Sequence, residues 1–188
     1  MTVMPSSPAV PFAVFALASA FAVGACSRAG GDPASKLTVP SVPDSLRPPD
    51  GEALIAKVLA KGTQNYECRT NDNATYAWKL SGPDADLTDE TGKSVGHHYA
   101  GPTWESTDGS KVVGEVKAKA DAPGGQGVPW LLLKATSTSG TGIFSKVTSI
   151  QRVDTAAGLA PSTGCDAQHV GARQNVAYRA TYCFYSAR

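Results

Sequence analysis

The side chains best suited to chemistry cluster in one short stretch, residues 96–111. It holds imidazoles, an indole, a phenol, carboxylates and an amine among Gly and Pro residues that favour turns. We predict a loop or a bulged strand edge that turns these side chains toward one surface depression. The candidate ligand-binding residues of this stretch are His98, Tyr99, Trp104, Glu105, Asp108 and Lys111.

A basic partner for these side chains is expected from the strand-like stretch at residues 145–154. Alternation places Thr148, Ile150 and Arg152 on one face, which makes Arg152 the candidate cation. The indole of Trp104 would stack on a ring or a sugar, while imidazole, carboxylate and guanidinium groups fix polar atoms. We therefore predict a binding or envelope-associated module that takes a small polar ligand or a glycan.

Two other interpretations of the same residues stay open. An extracytoplasmic enzyme of hydrolase type would use His98 as a base with Glu105 or Asp108 as its partner. In a structural role, Trp104 lies wholly in the core and Asp108 only caps the turn before Gly109. The sequence has no Gly-x-Ser-x-Gly elbow, so we assign no catalytic residue.

Metal and cofactor sites lack the residue spacing that they need. The sequence contains no Cys-x-x-Cys and no His-x-x-x-His pair. Gly92-Lys93-Ser94 resembles the end of a phosphate-binding loop, but Leu87 stands where that loop needs its first glycine. We predict neither a metal site nor a cofactor.

The N-terminus has the pattern of an export signal. Residues 1–25 contain no charged side chain, and residues 12–23 form an apolar run too short to span a bilayer as a helix. The run ends in Val23-Gly24-Ala25-Cys26, which resembles the lipobox of bacterial lipoproteins. We predict lipidation at Cys26 and anchoring to the cell envelope, at the periplasmic face of the outer membrane if the host has one. Plain signal cleavage, which gives a secreted protein, is the alternative.

Composition and charge indicate one β-rich domain behind a tether. The 188 residues include 19 Gly and 13 Pro, and 17 basic side chains nearly balance 16 acidic ones. That balance gives no electrostatic footprint for nucleic acid. Gly and Pro residues after Cys26 favour a tether. We predict a leader over residues 1–25, a tether over 26–49 and a single folded domain over 50–188.

The domain is predicted to be mainly β, as an antiparallel sandwich or a barrel-like sheet with long loops and at most one short helix. The helix is predicted over Asp50–Gly62, where Leu54, Ile55, Val58 and Leu59 share a helical face. An edge strand is the rival assignment for that segment. Alternating runs between Gly, Pro and Asp turns predict strands over residues 63–68, 75–80, 111–119, 130–138, 145–154 and 176–185.

Three cysteines follow Cys26, so an oxidising compartment leaves one of them unpaired. Cys165 lies in a loop-like stretch, and Cys68 ends a short predicted strand. Cys183 lies in the middle of a predicted strand, away from its most apolar face. We predict a Cys68–Cys165 disulfide, and a Cys165–Cys183 bond would contradict it.

Further motifs follow the stretch at 96–111 in a fixed order. They are Gly127-Val-Pro-Trp-Leu-Leu-Leu-Lys134, Ile150-Gln-Arg-Val-Asp-Thr155, Ala160-Pro-Ser-Thr-Gly-Cys165 and Tyr178-x-Ala-x-Tyr182. Together they resemble the secreted domain-of-unknown-function family numbered 3455, over residues 50–188. The resemblance implies an exported protein or lipoprotein with no established activity. It also implies a strand at Asp50–Gly62 and an unpaired Cys183, because the family has an aromatic residue at that position.

Overall fold

The computed structural model describes residues 1 and 37–188. The predicted leader, Cys26 and the first part of the predicted tether lie outside the described residues. Among the residues it does describe, no helix has the length and apolar character needed to cross a membrane.

Eight antiparallel strands form one closed barrel, in which each strand pairs with its neighbours in sequence. The first and last strands pair to close the sheet, with Lys61 opposite Arg179. The prediction of a mainly β, antiparallel domain is confirmed, and of the two predicted architectures the barrel is the one that forms. The strands are β1 Glu52–Thr70, β2 Tyr76–Thr88, β3 Ser94–Tyr99, β4 Thr103–Ser106, β5 Lys111–Ala120, β6 Trp130–Ser139, β7 Ser149–Ala157 and β8 Arg173–Ala187. Two 3-10 turns accompany them, Asp44–Leu46 and Pro123–Gly125.

The helix predicted over Asp50–Gly62 is wrong, because this segment is the first part of β1. Ala56, Val58 and Ala60 are buried, whereas Leu59 between them is 43% exposed. That alternation has the period of two expected of a strand. Apolar residues also occur on the outer face of β1. Because both faces of the strand carry apolar residues, their positions in the sequence match the spacing expected of a helix.

Gly62 does not end a helix but allows two strands to approach each other. It lies opposite Ala85 in the register of β1 and β2. A Cβ atom at Gly62 would collide with the backbone oxygen of Asp84 and with Ala85. The glycine in the middle of β1 therefore marks close contact between backbones.

The barrel lumen holds the main core, built from alternate side chains of the strands. Trp104 lies in this core with Phe184, their ring centroids 6.0 Å apart. Phe144, from the connection between β6 and β7, packs into the lumen 4.5 Å from Phe184. The backbone N–H of Phe144 donates to Ser110 Oγ at 3.0 Å, beside the turn between β4 and β5. That end of the lumen is therefore filled.

A second apolar cluster lies on the opposite face of β7 and β8 and is covered by residues that precede β1. Leu46 is fully buried, and Gln151 Nε2 donates to its carbonyl oxygen at 2.6 Å. The packed part of the chain therefore begins before Asp50 and includes part of the segment predicted as tether. The cluster comprises Val153, Cys183 and Tyr185, with Val42, Leu54 and Trp130 packed against them.

The disulfide between Cys68 and Cys165 is confirmed, with an S–S distance of 2.01 Å. It joins β1 to the connection between β7 and β8 across 97 residues of sequence. Closing a loop of that length is worth about 4–5 kcal/mol in the chain-entropy model. Cys183 is free and buried, and burial raises the pKa of its thiol to about 11. The disulfide fits an oxidising compartment.

Candidate functional site

A cavity of about 300 Å³ occupies the lumen beside the turn between β3 and β4. Each of the eight strands contributes at least one residue to its wall. This volume is at the lower end of the range for small-molecule sites. The polar part of the lining includes Gln64, His98, Arg152 and Tyr182, and the apolar part includes Val116, Leu131 and Leu133.

His98 reaches the cavity from β3 and is 2% exposed. Its Nδ1 lies 2.8 Å from the carbonyl oxygen of Thr103. Because a carbonyl oxygen only accepts hydrogen bonds, Nδ1 carries the proton and Nε2 keeps its lone pair. Burial, assisted by the nearby cation of Arg152, lowers the pKa of His98 to about 3, although the hydrogen bond to Thr103 opposes the shift. The ring is therefore neutral at neutral pH.

Trp104 reaches the cavity from β4 and is packed among other rings. The imidazole of His98 stacks on the indole, with centroids 4.3 Å apart and planes 10° from parallel. Tyr182 contacts the indole edge to face, with centroids 5.2 Å apart. Since His98 covers one face of the indole, that face has no room for the sugar ring predicted to stack there.

Arg152 reaches the cavity from β7 and supplies its charge. Its Nε and Nη2 donate to the carbonyl oxygen of Pro129, at 3.1 and 2.9 Å. None of the ion pairs within residues 37–188 involves Arg152. Its charge opposes the rise that burial causes in the pKa of Tyr178 and Tyr182. This end of the lumen therefore has a positive potential.

Two buried donors in the lining have no hydrogen-bond partner in the described part of the chain. They are Nε2 of Gln64 and Nε1 of Trp104. Each residue is 1% exposed, so bulk water does not satisfy them. A buried donor left unpaired costs about 1–3 kcal/mol. The wall of one cavity thus contains the cationic Arg152 and two neutral residues whose donors have no hydrogen-bond partner.

The predicted site residues do not share one surface: some line the cavity, some lie on the outer face of the barrel, and Asp108 lies in a turn. Residues 96–111 form β3, β4 and the start of β5, so of the predicted loop or bulged strand edge the loop does not form, while the register of β2 and β3 shifts where the stretch begins, at Gly96. His98 and Trp104 lie opposite each other in the register and both line the cavity. Arg152 lines the same cavity, and Ile150 also packs in the lumen core, as their shared face predicts.

Three other predicted residues meet on the outer face of the barrel. The hydroxyl of Tyr99 donates to Glu105 Oε2 at 2.7 Å, and Nζ of Lys111 lies 3.1 Å from the same oxygen. These bonds, from Tyr99 first and then from Lys111, lower the pKa of Glu105. The three side chains form a solvent-exposed network and do not line the cavity.

Asp108 caps the turn between β4 and β5. Its Oδ1 accepts from the backbone N–H of Ser110 at 2.8 Å and from Ser110 Oγ at 2.6 Å. Its Oδ2 accepts from the backbone N–H of Ile143 at 2.9 Å. These hydrogen bonds, that from the Ser110 hydroxyl first, lower the pKa of Asp108 to about 2. Asp108 therefore ties the turn to the loop that carries Phe144 and is not part of the cavity lining.

The geometry does not assemble an acid–base group from the predicted residues. His98 faces the lumen, Glu105 faces outward and Asp108 lies in the turn beyond β4. Within the described residues, no group of three or more His, Cys, Asp or Glu side chains is arranged to hold a metal ion. The residues predicted to act as base and acid partner therefore do not meet in one site.

Sequence reasoning missed several residues of the lining. Gln64 lies on the same face of β1 as Val58 and Ala60, six and four positions earlier in the chain. Continuing the alternation of β1 past Gly62 would have placed it in the lumen, but the predicted helix ended that pattern. Alternation in the last predicted strand puts Tyr182 on the face opposite Cys183, but nothing in the sequence assigns it to the site. The pairing of Tyr182 with Arg152 across β7 and β8 brings it there.

The fold and its site define a closed eight-stranded β-barrel with a lumenal cavity. A family model described as "Protein of unknown function (DUF3455)" matches residues 48–186. The chain belongs to this family, as its motifs predict. No curated protein and no solved structure matches the chain.

Proposed function

We propose that this protein is a binding module that holds a small ligand in the lumen of its barrel. One observation carries the proposal: a single cavity is lined by Arg152, which has no carboxylate partner within residues 37–188, and by two residues with unsatisfied buried donors, Gln64 and Trp104. A core shaped by stability alone pairs or excludes such groups. A ligand with hydrogen-bond acceptors would satisfy them.

The walls of the cavity favour a ligand with an apolar body. Val116, Leu131 and Leu133 line one side, contributed by β5 and β6. A fully polar ligand would lose its hydration against these side chains without new hydrogen bonds. The proposed ligand therefore combines an apolar body with an acceptor group, and it differs in this from a glycan stacked on Trp104.

We further propose that the module is exported and held at the cell envelope by lipid on Cys26. The lipobox-like sequence that ends at Cys26 and the disulfide between Cys68 and Cys165 support this proposal. Metabolic labelling with an alkyne fatty acid should label the wild type and not Cys26→Ser. Cys183→Ser serves as the control, because it removes a cysteine of the barrel and should keep the label. Acylated Cys26→Ser protein would contradict the anchor.

The indole N–H of Trp104 offers a direct test of lumenal binding. Exported protein carrying Cys26→Ser, which should need no detergent, is titrated with octanoate, octanol and octanamide while its ¹H–¹⁵N spectrum is recorded. At least one of these probes should shift the Trp104 indole signal. The indole of Trp78, which donates to Thr163 on the exposed surface, should stay in place. The proposal fails if none of the three probes shifts Trp104.

A pair of valine variants separates lumenal binding from binding elsewhere. Val116 lines the cavity and is 52% exposed, whereas Val170 lies outside the lining and is 53% exposed. Val116→Phe should occupy part of the cavity and weaken probe binding at least tenfold. Val170→Phe should leave it unchanged. Equal effects of the two substitutions would place the probe outside the lumen and contradict the proposal.

A further inference from the structure

We infer that the lumen takes a small monocarboxylate, with its carboxylate on Arg152 and its apolar body against the wall formed by β5 and β6. The inference rests on the proposed function, because it names the chemical class of the ligand for the same cavity.

The charge of the lining favours a single negative charge on the ligand. Arg152 is the one lining residue that is ionised at neutral pH, since His98 is held neutral and no Asp or Glu lines the cavity. A neutral ligand would leave the guanidinium uncompensated in the lumen. A dianion would bring an excess charge against apolar walls. A monoanion balances the charge of this cavity.

The guanidinium is already oriented for a planar acceptor. Two of its five N–H groups donate to the carbonyl oxygen of Pro129, and the guanidinium also lies close to the Tyr182 hydroxyl, so the remaining N–H groups face the cavity lining that a ligand would contact. The bond to Pro129 restricts the rotation of the Arg152 side chain, so less conformational freedom is lost when a ligand binds. Carboxylates fit the fork of a guanidinium with two parallel hydrogen bonds.

The two unsatisfied donors suit the same ligand group. A carboxylate has about four lone-pair sites on its two oxygens, more than Arg152 alone would fill. Nε2 of Gln64 and Nε1 of Trp104 are neutral donors, so they add hydrogen bonds without adding charge. A carboxylic amide has a single acceptor oxygen and no charge, and it would satisfy this set less well.

The matched probes are octanoate and octanamide, which have similar size and chain length and differ in charge. Isothermal titration calorimetry at pH 7 should show wild-type protein binding octanoate at least tenfold more tightly than octanamide. Octanedioate, which has the same chain length and two charges, should bind more weakly than octanoate. From butanoate to octanoate, affinity should rise about threefold to fourfold for each methylene buried against Leu131 and Leu133.

Two arginine variants locate the charge effect. Arg152→Gln should remove the preference for octanoate over octanamide. Arg179→Gln, which changes an exposed arginine of β8, should keep it. Arg152→Lys keeps the charge but not the fork, so it should retain part of the preference. If Arg152→Gln fails to fold, the comparison of the two probes on wild-type protein still decides.

The outcomes distinguish the ligand class from the binding function. Equal affinities for octanoate and octanamide, or an unchanged preference in Arg152→Gln, would overturn the monocarboxylate while lumenal binding stands. Failure of every probe to bind would overturn both proposals. Tighter binding of octanedioate than of octanoate would overturn the argument for a single negative charge.

Discussion

Two histidines that follow each other in β3 have entirely different surroundings. His98 is 2% exposed, stacks on Trp104 in the lumen and is neutral at neutral pH. The side chain of His97 is 43% exposed, and its Nε2 and Nδ1 lie 2.9 and 3.4 Å from carboxylate oxygens of Asp84 and Asp86. A shift of one position thus moves an imidazole from an aromatic core to a solvated position beside two carboxylates. The face of the strand, and not the residue type, decides the chemistry.

The same contrast applies to the next strand. Trp104 is buried among His98, Tyr182 and Phe184, while its neighbour Glu105 holds an exposed network with Tyr99 and Lys111. Polar and aromatic residues that are close together in sequence are therefore separated in space into a set that faces the lumen and a set on the outer face of the barrel. We expect substitutions on the lumen face to change stability and ligand binding, and those on the outer face to change neither by much.

Trp104→Ala should produce the largest effect. Removing a buried indole leaves a void among three rings and should lower the free energy of unfolding by about 3–5 kcal/mol. Urea denaturation followed by circular dichroism measures the change. A loss below about 1 kcal/mol would show that the lumen face is not more important for stability than the outer face.

His98 should make stability depend on pH in the acid range. Its pKa is about 3 in the folded protein and 6.5 in the unfolded chain, so below pH 6.5 the unfolded chain binds the extra proton. Folded-state stability is then lost as pH falls, by about 1.4 kcal/mol per unit, or about 2–3 kcal/mol down to about pH 4.5. Urea titrations across this range measure the slope.

Two histidine variants test whether the dependence of the unfolding free energy on pH comes from the lumen face of β3. His98→Phe should flatten the slope, because the variant has no imidazole at this position to take up a proton on unfolding. His97→Gln retains His98 and should keep the steep acid slope. A slope that survives in His98→Phe would contradict the burial of a neutral imidazole.

Asp108→Ala should have an intermediate effect. The carboxylate accepts three hydrogen bonds, two from Ser110 and one from Ile143, but it lies near solvent. We expect a loss of about 1–2 kcal/mol in the free energy of unfolding and unchanged octanoate affinity. Loss of octanoate binding in a variant that melts like the wild type would place Asp108 in the site, against the geometry described above.

Tyr99→Phe and Glu105→Gln should have the smallest effects. Each weakens an exposed network in which solvent screens the charges, so the free energy of unfolding should change by less than about 1 kcal/mol. Thermal melts and octanoate titrations of both variants check this expectation. A tenfold loss of binding in either one would mean that the outer face takes part in the site.

Much of the architecture was accessible from sequence because it depends on local pattern. Alternation placed Tyr182 and Phe184 on one face of β8 and Cys183 on the other, which is how the disulfide partners were identified. Gly101 and Pro102 also indicate a turn in the sequence. In the structure they form the tight connection between β3 and β4 and do not belong to a longer loop.

The site was only partly accessible, because it depends on the closure of the sheet. Gln64 and Arg152 are far apart in sequence and on strands that are not neighbours, so no local pattern relates them. The cavity also exists because the side chains near Gly82 and Pro102 do not fill this part of the lumen. Such a void is a property of the assembled barrel. Alternation could have separated His98 from Tyr99, but only once residues 96–111 were recognised as strands.

Closure of the barrel by its first and last strands also sets the order of events in synthesis. Glu52 pairs with Ala187 and Glu67 with Arg173, so β1 leaves the ribosome long before its partner exists. Every pair between these two strands joins residues more than one hundred positions apart, which is a topology that folds slowly. A chain interrupted before Arg173 would lack Tyr182 and one side of the lumen wall. If the lumen binds a ligand as proposed, binding requires that the final residues of the chain have been synthesised and have paired with the first strand.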